Sequence, residues 1–536
     1  MTEPPQPPNQ PPPPSGYGHL PGPPQPAYGY PPQGGNPYAQ QPPTVPQPLA
    51  QPGGPGFPPP AGPPSGGRRK GAVIVAAAVA GVLVLGTGAW FAFAGDDEPK
   101  KPAAQASAPA DPKPAGSPSV DKGDGSGNGA AEQTDLNAGR KPGEDRALWL
   151  KTVKMQGPGA GIPAKGQWVV GDTVVKTLGT TLIGYAVTDG KEKWNLDVHT
   201  EICALTGQTA ADGKTVIAVK DGTASNASCT QLKLIDLKAG KEGWTKALDK
   251  ESIFDGGISA TISLSGDTFA VNRLGGTSVH RVSTGDKLFT GNVPEGCQPT
   301  DYAAGNGRML GMAMCMDNDH TREVQDVDPV TGKKTWTYRL PAGWQVNAVY
   351  SVSPAVLDIG NRDTKQRAVI SLTADGKKRA SMGAEGDFEV NCDGGGSTDG
   401  LQYCGDRAVD GDTLYLRATA KDGKTSEMVA FDIGTGKARW RHAAGDKRTI
   451  LPVKAAGGQL IAYLHTGYDV PGELISLQAA DGGAKTLMRL PSGPAAKIEA
   501  SFLSAKRSFE DGRFFMSVDS LNGDGKDEKL LMAFGK

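Results

Sequence analysis

From about residue 146 onward, apolar and polar positions alternate in short runs separated by turn residues, the pattern of β-strands half-buried on one face. The clearest run spans Val327 to Leu340. An apolar segment reaches Asp328, a tight turn follows at Thr331-Gly332, and a second strand begins near Trp336. Asp can bond backbone amides two residues on, and Gly accepts the positive φ that such a hairpin needs. Beyond the turn, Trp336, Tyr338 and Leu340 share one face, and Thr337 and Arg339 the other. The cassette returns at Phe431–Trp440 with Asp432, Thr435, Gly436 and Trp440, and looser copies end at Trp194, Trp244, Phe289, Arg379 and Lys485. The turn glycines Gly190, Gly240, Gly285, Gly332, Gly376, Gly436 and Gly483 stand roughly 45–60 residues apart, a propeller or solenoid period.

A second set of turns counts the repeats independently. Apolar strands follow Gly171-Asp172, Asp212-Gly213, Gly266-Asp267, Asn306-Gly307, Ser353-Pro354, Asp410-Gly411, Gly457-Gly458 and Asp511-Gly512. These are eight inner turns against seven outer cassettes. The chain closes on Leu530–Phe534, a third strand without an outer partner, while Ala147–Val153 reads as an outer strand without a blade. Pairing the two closes a ring and removes two sheet edges that would invite aggregation. The predicted fold is therefore all-β, an eight-bladed β-propeller over 146–536, with seven blades as the alternative.

Composition changes sharply ahead of the propeller. The chain has 75 Gly and 44 Pro, and the prolines concentrate before residue 120. Residues 1–67, rich in Pro, Gln, Gly, Tyr and Ala, have too few aliphatic side chains to offset chain entropy, which predicts a disordered tail. The tail is read as a spacer, or as a strip for Pro-recognising partners. Arg68, Arg69 and Lys70 then precede Gly71–Gly95, a stretch without a charged residue. At 1.5 Å per residue it would extend roughly 37 Å as a helix, enough to cross a bilayer. Basic residues before it, and Asp96, Asp97 and Glu98 after it, predict a single-pass cell-membrane protein with its N-terminus in the cytoplasm and its propeller outside. A cleaved signal peptide ending near Ala92-Phe93-Ala94 is the competing reading; the long preceding tail and the length of the apolar run argue against it. Residues 96–145, without hydrophobic periodicity, read as a flexible linker. With 56 basic and 57 acidic residues, the chain carries no electrostatic footprint for nucleic acid.

The form Asp-x-x-Thr-Gly-Lys-x-x-Trp at Asp328–Trp336 and Asp432–Trp440 resembles the tryptophan-docking repeat of the pyrroloquinoline-quinone (PQQ) family, strongly in these two blades and loosely in the others. That family holds eight-bladed quinoprotein alcohol dehydrogenases as well as non-enzymatic propellers such as an outer-membrane assembly lipoprotein. The resemblance implies that Trp149, Trp194, Trp244, Trp336 and Trp440 pack between blades and are structural. The quinoproteins use adjacent cysteines, a calcium ion and a carboxylate base near the ring centre, and no two cysteines are adjacent here. The layout of tail, span, linker and propeller is similar to that of membrane proteins of actinobacteria.

All six cysteines, Cys203, Cys229, Cys297, Cys315, Cys392 and Cys404, follow the apolar stretch. An even number in an extracytoplasmic domain predicts disulfides, with buried free thiols as the alternative. Of the possible connectivities, sequence neighbours are the most economical: 203–229, 297–315 and 392–404. No Cys-x-x-Cys, Gly-x-Ser-x-Gly elbow in the folded region, or P-loop occurs, and the six histidines lack metal-ligand spacing. Asn522, Asp524 and Glu528 could supply oxygen ligands to calcium, although the same Asn-Gly-Asp-Gly sequence suits a hairpin turn. The Gly-rich stretch 393–400 reads as an insertion. These features predict a non-catalytic scaffold for an envelope protein or ligand, neither PQQ nor calcium being expected as a cofactor. A PQQ-dependent dehydrogenase and an extracytoplasmic sensor are the alternatives.

Overall fold

The structure, a computed structural model, describes residues 135–536 apart from 158, 160, 292–295, 383–387, 389–399, 403–406, 421, 467–469 and 503. The tail, the apolar stretch, most of the linker, and Cys392 and Cys404 lie outside the described residues.

Eight four-stranded antiparallel sheets follow one another in the order inner to outer strand. Blade 1 spans 167–197, blade 2 202–247, blade 3 260–290, blade 4 297–339, blade 5 344–382, blade 6 407–443 and blade 7 448–489. Blade 8 takes its first three strands from Lys506–Glu510, Arg513–Ser517 and Asp524–Gly535, and its outer strand from Arg146–Gln156. Leu150 pairs with Met532, and Val153 with Glu528. The two orphan strands read from sequence are thus one another's partners, and the ring has eight blades. A small accessory sheet pairs Ile162 with Leu521 beside this closure.

Burial follows position in the blade. Second strands are buried on both faces, as at Thr173–Leu178, whereas outer strands alternate between half-buried and exposed, as at Lys334–Arg339. Among the described residues, the buried apolar side chains form eight clusters, one at each seam between neighbouring blades. The core is therefore a circle of interfaces, and no blade buries its own faces alone.

Three features depart from the sequence reading. Residues 135–145, assigned by composition to the linker, belong to the folded unit: Leu136 is buried, and the Asn137 side chain both donates to the Ala147 carbonyl (2.9 Å) and accepts from its amide (3.0 Å). One apolar residue in a polar run carries too little periodicity to register. The fold is also not β throughout, since a short helix, Pro494–Glu499, joins blades 7 and 8. Proline in its first turn, followed by alanines, explains it. Finally, the blade 7 turn glycine is Gly482 and not Gly483; Gly482 has φ +73° and donates to Gln478 O at 2.9 Å.

Candidate functional site

The cassettes build the ring. In blade 4, Asp328 Oδ1 accepts from the amides of Val330 (3.1 Å) and Thr331 (2.7 Å) and from the Thr331 hydroxyl (2.8 Å), and Gly332 N donates back to Asp328 O (2.9 Å). In blade 6, Asp432 Oδ1 accepts from Gly434 and Thr435, both at 2.8 Å, and Gly436 N closes on Asp432 O at 2.8 Å. In six blades the turn leaves a glycine facing the preceding blade, where an aromatic ring lies on it. A β-carbon at Gly190 would come within 2.6 Å of the Trp149 ring, and one at Gly482 within 2.9 Å of Trp440. Trp194 lies on Gly240, Trp244 on Gly285, Phe289 on Gly332 and Trp336 on Gly376. The indole N–H groups of Trp149, Trp244 and Trp440 reach the carbonyls of Val187 (3.3 Å), Val282 (2.8 Å) and Ala479 (3.0 Å) in the next blade.

Two seams lack a ring, each for a visible reason. Arg379 replaces it between blades 5 and 6, crossing to Asp412 at 3.2 Å. At Lys485 no ring is needed, because the third and fourth strands of blade 8 come from opposite ends of the propeller and leave no hairpin turn to cover. The blade 5 turn is one residue shorter than the others, Gly376 N bonding Thr373 O (3.0 Å). A cleft of about 550 Å³ opens beside it, lined by Trp336, Arg308, Arg379 and Asp412. Its guanidinium groups are paired, Arg308 with Asp326 (2.8 Å) and Arg379 with Asp412.

Side-chain amides cap part of the inner edge that faces the ring axis. The inner strand of blade 4 would otherwise present unpaired backbone groups to the axis. Gln402, in the short 3-10 turn Gly400–Gln402, accepts from Ala304 N (2.8 Å) and donates to Ala304 O (2.9 Å). Gln208 donates to the same carbonyl (2.6 Å) and accepts from Leu264 N of blade 3 (2.6 Å). Asn272 caps Tyr302 in the same two-way manner, at 2.9 and 3.1 Å. Next to Tyr302, burial raises the Asp301 carboxyl to about 6. Gln402 was invisible to sequence reasoning; the Gly-rich insertion was legible only as an insertion.

Two buried charged groups stand at the seams flanking blade 8. Glu499, at the end of the short helix, accepts from the Tyr463 hydroxyl and from Gly472 N (2.9 Å). Burial raises its carboxyl to about 7 despite those hydrogen bonds and the nearby Arg507. Lys176 donates to Ala164 O, and burial lowers it to about 7 against the attraction of Asp519.

The predicted site residues fall as follows. Cys203 joins Cys229 and Cys297 joins Cys315, across 26 and 18 positions. Neither of the two described bridges links cysteines adjacent in sequence. The sulfurs near Glu323 are spent in the second bridge and offer no thiolate to a metal. Glu528 accepts from Asn522 N and Gly523 N, both at 2.7 Å, and Asp524 accepts from Lys526 N (3.1 Å) and Nζ (2.9 Å). Both carboxylates therefore fasten the turn between two strands of the closing region.

No family model and no curated protein matches this chain. Among solved structures, the chain is similar to BamB from Moraxella catarrhalis at 14% identity, over 72% of this chain and 97% of that one, with a TM-score of 0.39. It is also similar to the quinohemoprotein alcohol dehydrogenase ADHIIG from Pseudomonas putida HK5, at 11% identity over 75% and 77% of the two chains, TM-score 0.43. The quinohemoprotein alcohol dehydrogenase from Comamonas testosteroni gives 12% identity over 76% and 78%, TM-score 0.41. The assignment of the fold rests on the eight sheets and their closure rather than on these likenesses.

Proposed function

We propose that this chain is a membrane-anchored, extracytoplasmic β-propeller of the layout seen in actinobacterial membrane proteins, which holds a protein or another cell-envelope ligand without chemistry of its own. The observation that carries this reading is the amide capping of the inner edge of blade 4. Gln402, Gln208 and Asn272 already take the backbone groups of Ala304 and Tyr302 that a ligand seated against that part of the ring centre would meet. Recognition is then left to the loops at the two ends of the blades, the usual place for variable function on a repeated scaffold. The test is cross-linking in intact cells, comparing the full chain with one ending near Asp145. A defined partner captured only with the propeller present supports the scaffold. Dye-linked alcohol oxidation by the full chain with PQQ and calcium would overturn it.

A further inference from the structure

The two ends of the blades differ in kind. One carries the hairpins within each blade that build the ring. The other carries the second-to-third-strand turns and the blade-to-blade connections, here called the loop face. On the loop face, Ile253, Phe254, Ile258 and Leu274 are 93%, 74%, 84% and 76% exposed. They stand on two touching connections, 248–259 between blades 2 and 3 and the 274–275 turn of blade 3. A β-carbon at Gly275 would lie 2.8 Å from the Ser252 hydroxyl and 2.9 Å from the Phe254 carbonyl carbon.

The display is held from beneath. Asp255 and Arg273, each 1% exposed in the side chain, form an ion pair at 2.9 Å. Asp255 also accepts from Glu251 N (3.1 Å) and Gly257 N (3.3 Å), and Arg273 donates to Asp249 O (2.5 Å). Gly257 O accepts from Cys229 N (2.6 Å), beside the Cys203–Cys229 disulfide. A buried ion pair is costly to desolvate. This one supports a connection whose apolar side chains face water, so a loop free to fold them inward is instead fixed with them outward. Exposed apolar groups arranged in this way mark an interaction surface.

We infer that these four side chains dock the propeller face-down on a lipid bilayer; the inference rests on the membrane-anchor reading proposed above. Two observations favour lipid over a protein partner at these tips. The charge beside them is offset, Lys287 pairing with both Asp249 (2.9 Å) and Glu251 (3.4 Å), which lowers the cost of approaching the interface. The second is the tether: the strand it feeds begins at the outer edge of blade 8, where Arg146 opposes Gly535 and Asp145 bonds Arg489 through its amide (2.7 Å) and carboxylate (3.0 Å). Residues 96–134 separate the charge-free stretch from the described chain. Such a length spans at most about 130 Å, against a radius of gyration of about 21 Å expected for a domain of this size. Lipid is therefore always within reach, and weak insertion becomes an intramolecular event.

The test uses the full chain reconstituted into phosphatidylcholine vesicles with brominated or unbrominated acyl chains. Phe254→Trp places an indole at the tip, and its emission is read as the difference from the wild-type chain. Docking predicts loss of that emission in brominated vesicles. The loss should disappear when Ile253→Asp, Ile258→Asp and Leu274→Asp are added, with the thermal melt unchanged because all three sites are exposed. Equal emission of the added indole in both vesicles overturns the inference and assigns the surface to a protein partner. Flotation after an alkaline wash reads the anchor separately. A chain that washes off refutes anchoring, and an indole still quenched before the wash upholds docking without it; a chain that stays bound with an unquenched indole refutes docking alone.

Discussion

Replacing Trp149 by Ala removes the ring that locks the last blade onto the first. Trp149 is fully buried, lies 6.4 Å from Tyr185 and 6.1 Å from Phe515 between ring centroids, and covers Gly190. Truncating a buried Trp to Ala costs about 3–5 kcal/mol, a large share of a stability of about 5–15 kcal/mol. With an unfolding entropy near 2.1 cal/mol/K per residue, a propeller of about 400 residues should lose about 4–6 °C in Tm. Trp440→Ala is the control, because it covers Gly482 in the same geometry but sits on a strand joined to the third strand of its blade by a hairpin. Trp149 sits on the outer strand that joins its blade by pairing with 524–535 and without a hairpin. Its loss should therefore also release hydrogen-exchange protection in 146–156 and 524–535, whereas Trp440→Ala should lower Tm without opening the seam. A Trp149→Ala chain that melts like the wild type with 146–156 still protected would refute this account of closure.

Deleting 147–153 should abolish cooperative unfolding altogether, as read by calorimetry, because strand 524–535 would lose its partner along most of its length. Glu499→Gln should stabilise the protein at pH 8 and leave it unchanged at pH 4. The folded carboxyl, near 7, binds its proton more tightly than the unfolded one at 4.5, so stability is full below 4.5 and falls as pH rises through 7, by about 3 kcal/mol, which paired melts at the two pH values would show. Reducing the Cys203–Cys229 bridge, which closes a loop of 26 residues, should cost about 3–4 kcal/mol of chain entropy, seen as a lower denaturation midpoint for the Cys203→Ser, Cys229→Ser double variant. Calcium should leave Tm unchanged, and Glu528→Gln should lower it by weakening the cap on Asn522 N and Gly523 N; a calcium-dependent rise would restore the metal reading of that turn.

How much of this was legible in the sequence depended on the distance over which each feature is encoded. The cassettes were legible because everything that shapes them lies within a few residues: Asp328 bonds amides two and three positions on, and Gly332 closes the same turn. The closure was legible as a deficit, since a strand at each end of the propeller had no local partner. At Gly482-Gly483 the local signal failed, because either glycine satisfies the turn and contact with Trp440 selects the first. Gln402 caps Ala304 from 98 positions away, and Tyr463 meets Glu499 across 36, so neither pairing leaves a mark on its neighbours in sequence. Ile253, Phe254 and Ile258 would have read as ordinary apolar positions; that they face solvent depends on Arg273 reaching back to Asp255.

The same distinction separates the two ends of the blades in function. At the hairpin end, the cassette turns are consumed in making seams, and their freedom to vary is small because a ring must lie on a glycine. Most departures from the repeat gather at the other end: both described disulfides, the connection leading to Gly400–Gln402, the helix 494–499, the Glu528-capped turn and the apolar loop 248–259. The hairpin end keeps fewer departures: the connection carrying Gln208, the shorter blade 5 turn, Arg379 in place of a ring, and the missing outer hairpin of blade 8. A chain that needed only a closed ring would gain nothing from loops that bury an ion pair in order to hold apolar side chains in water. Their cost is compensated only if something other than water meets them, and that requirement, more than the propeller itself, points to the loop face as the place where this protein acts.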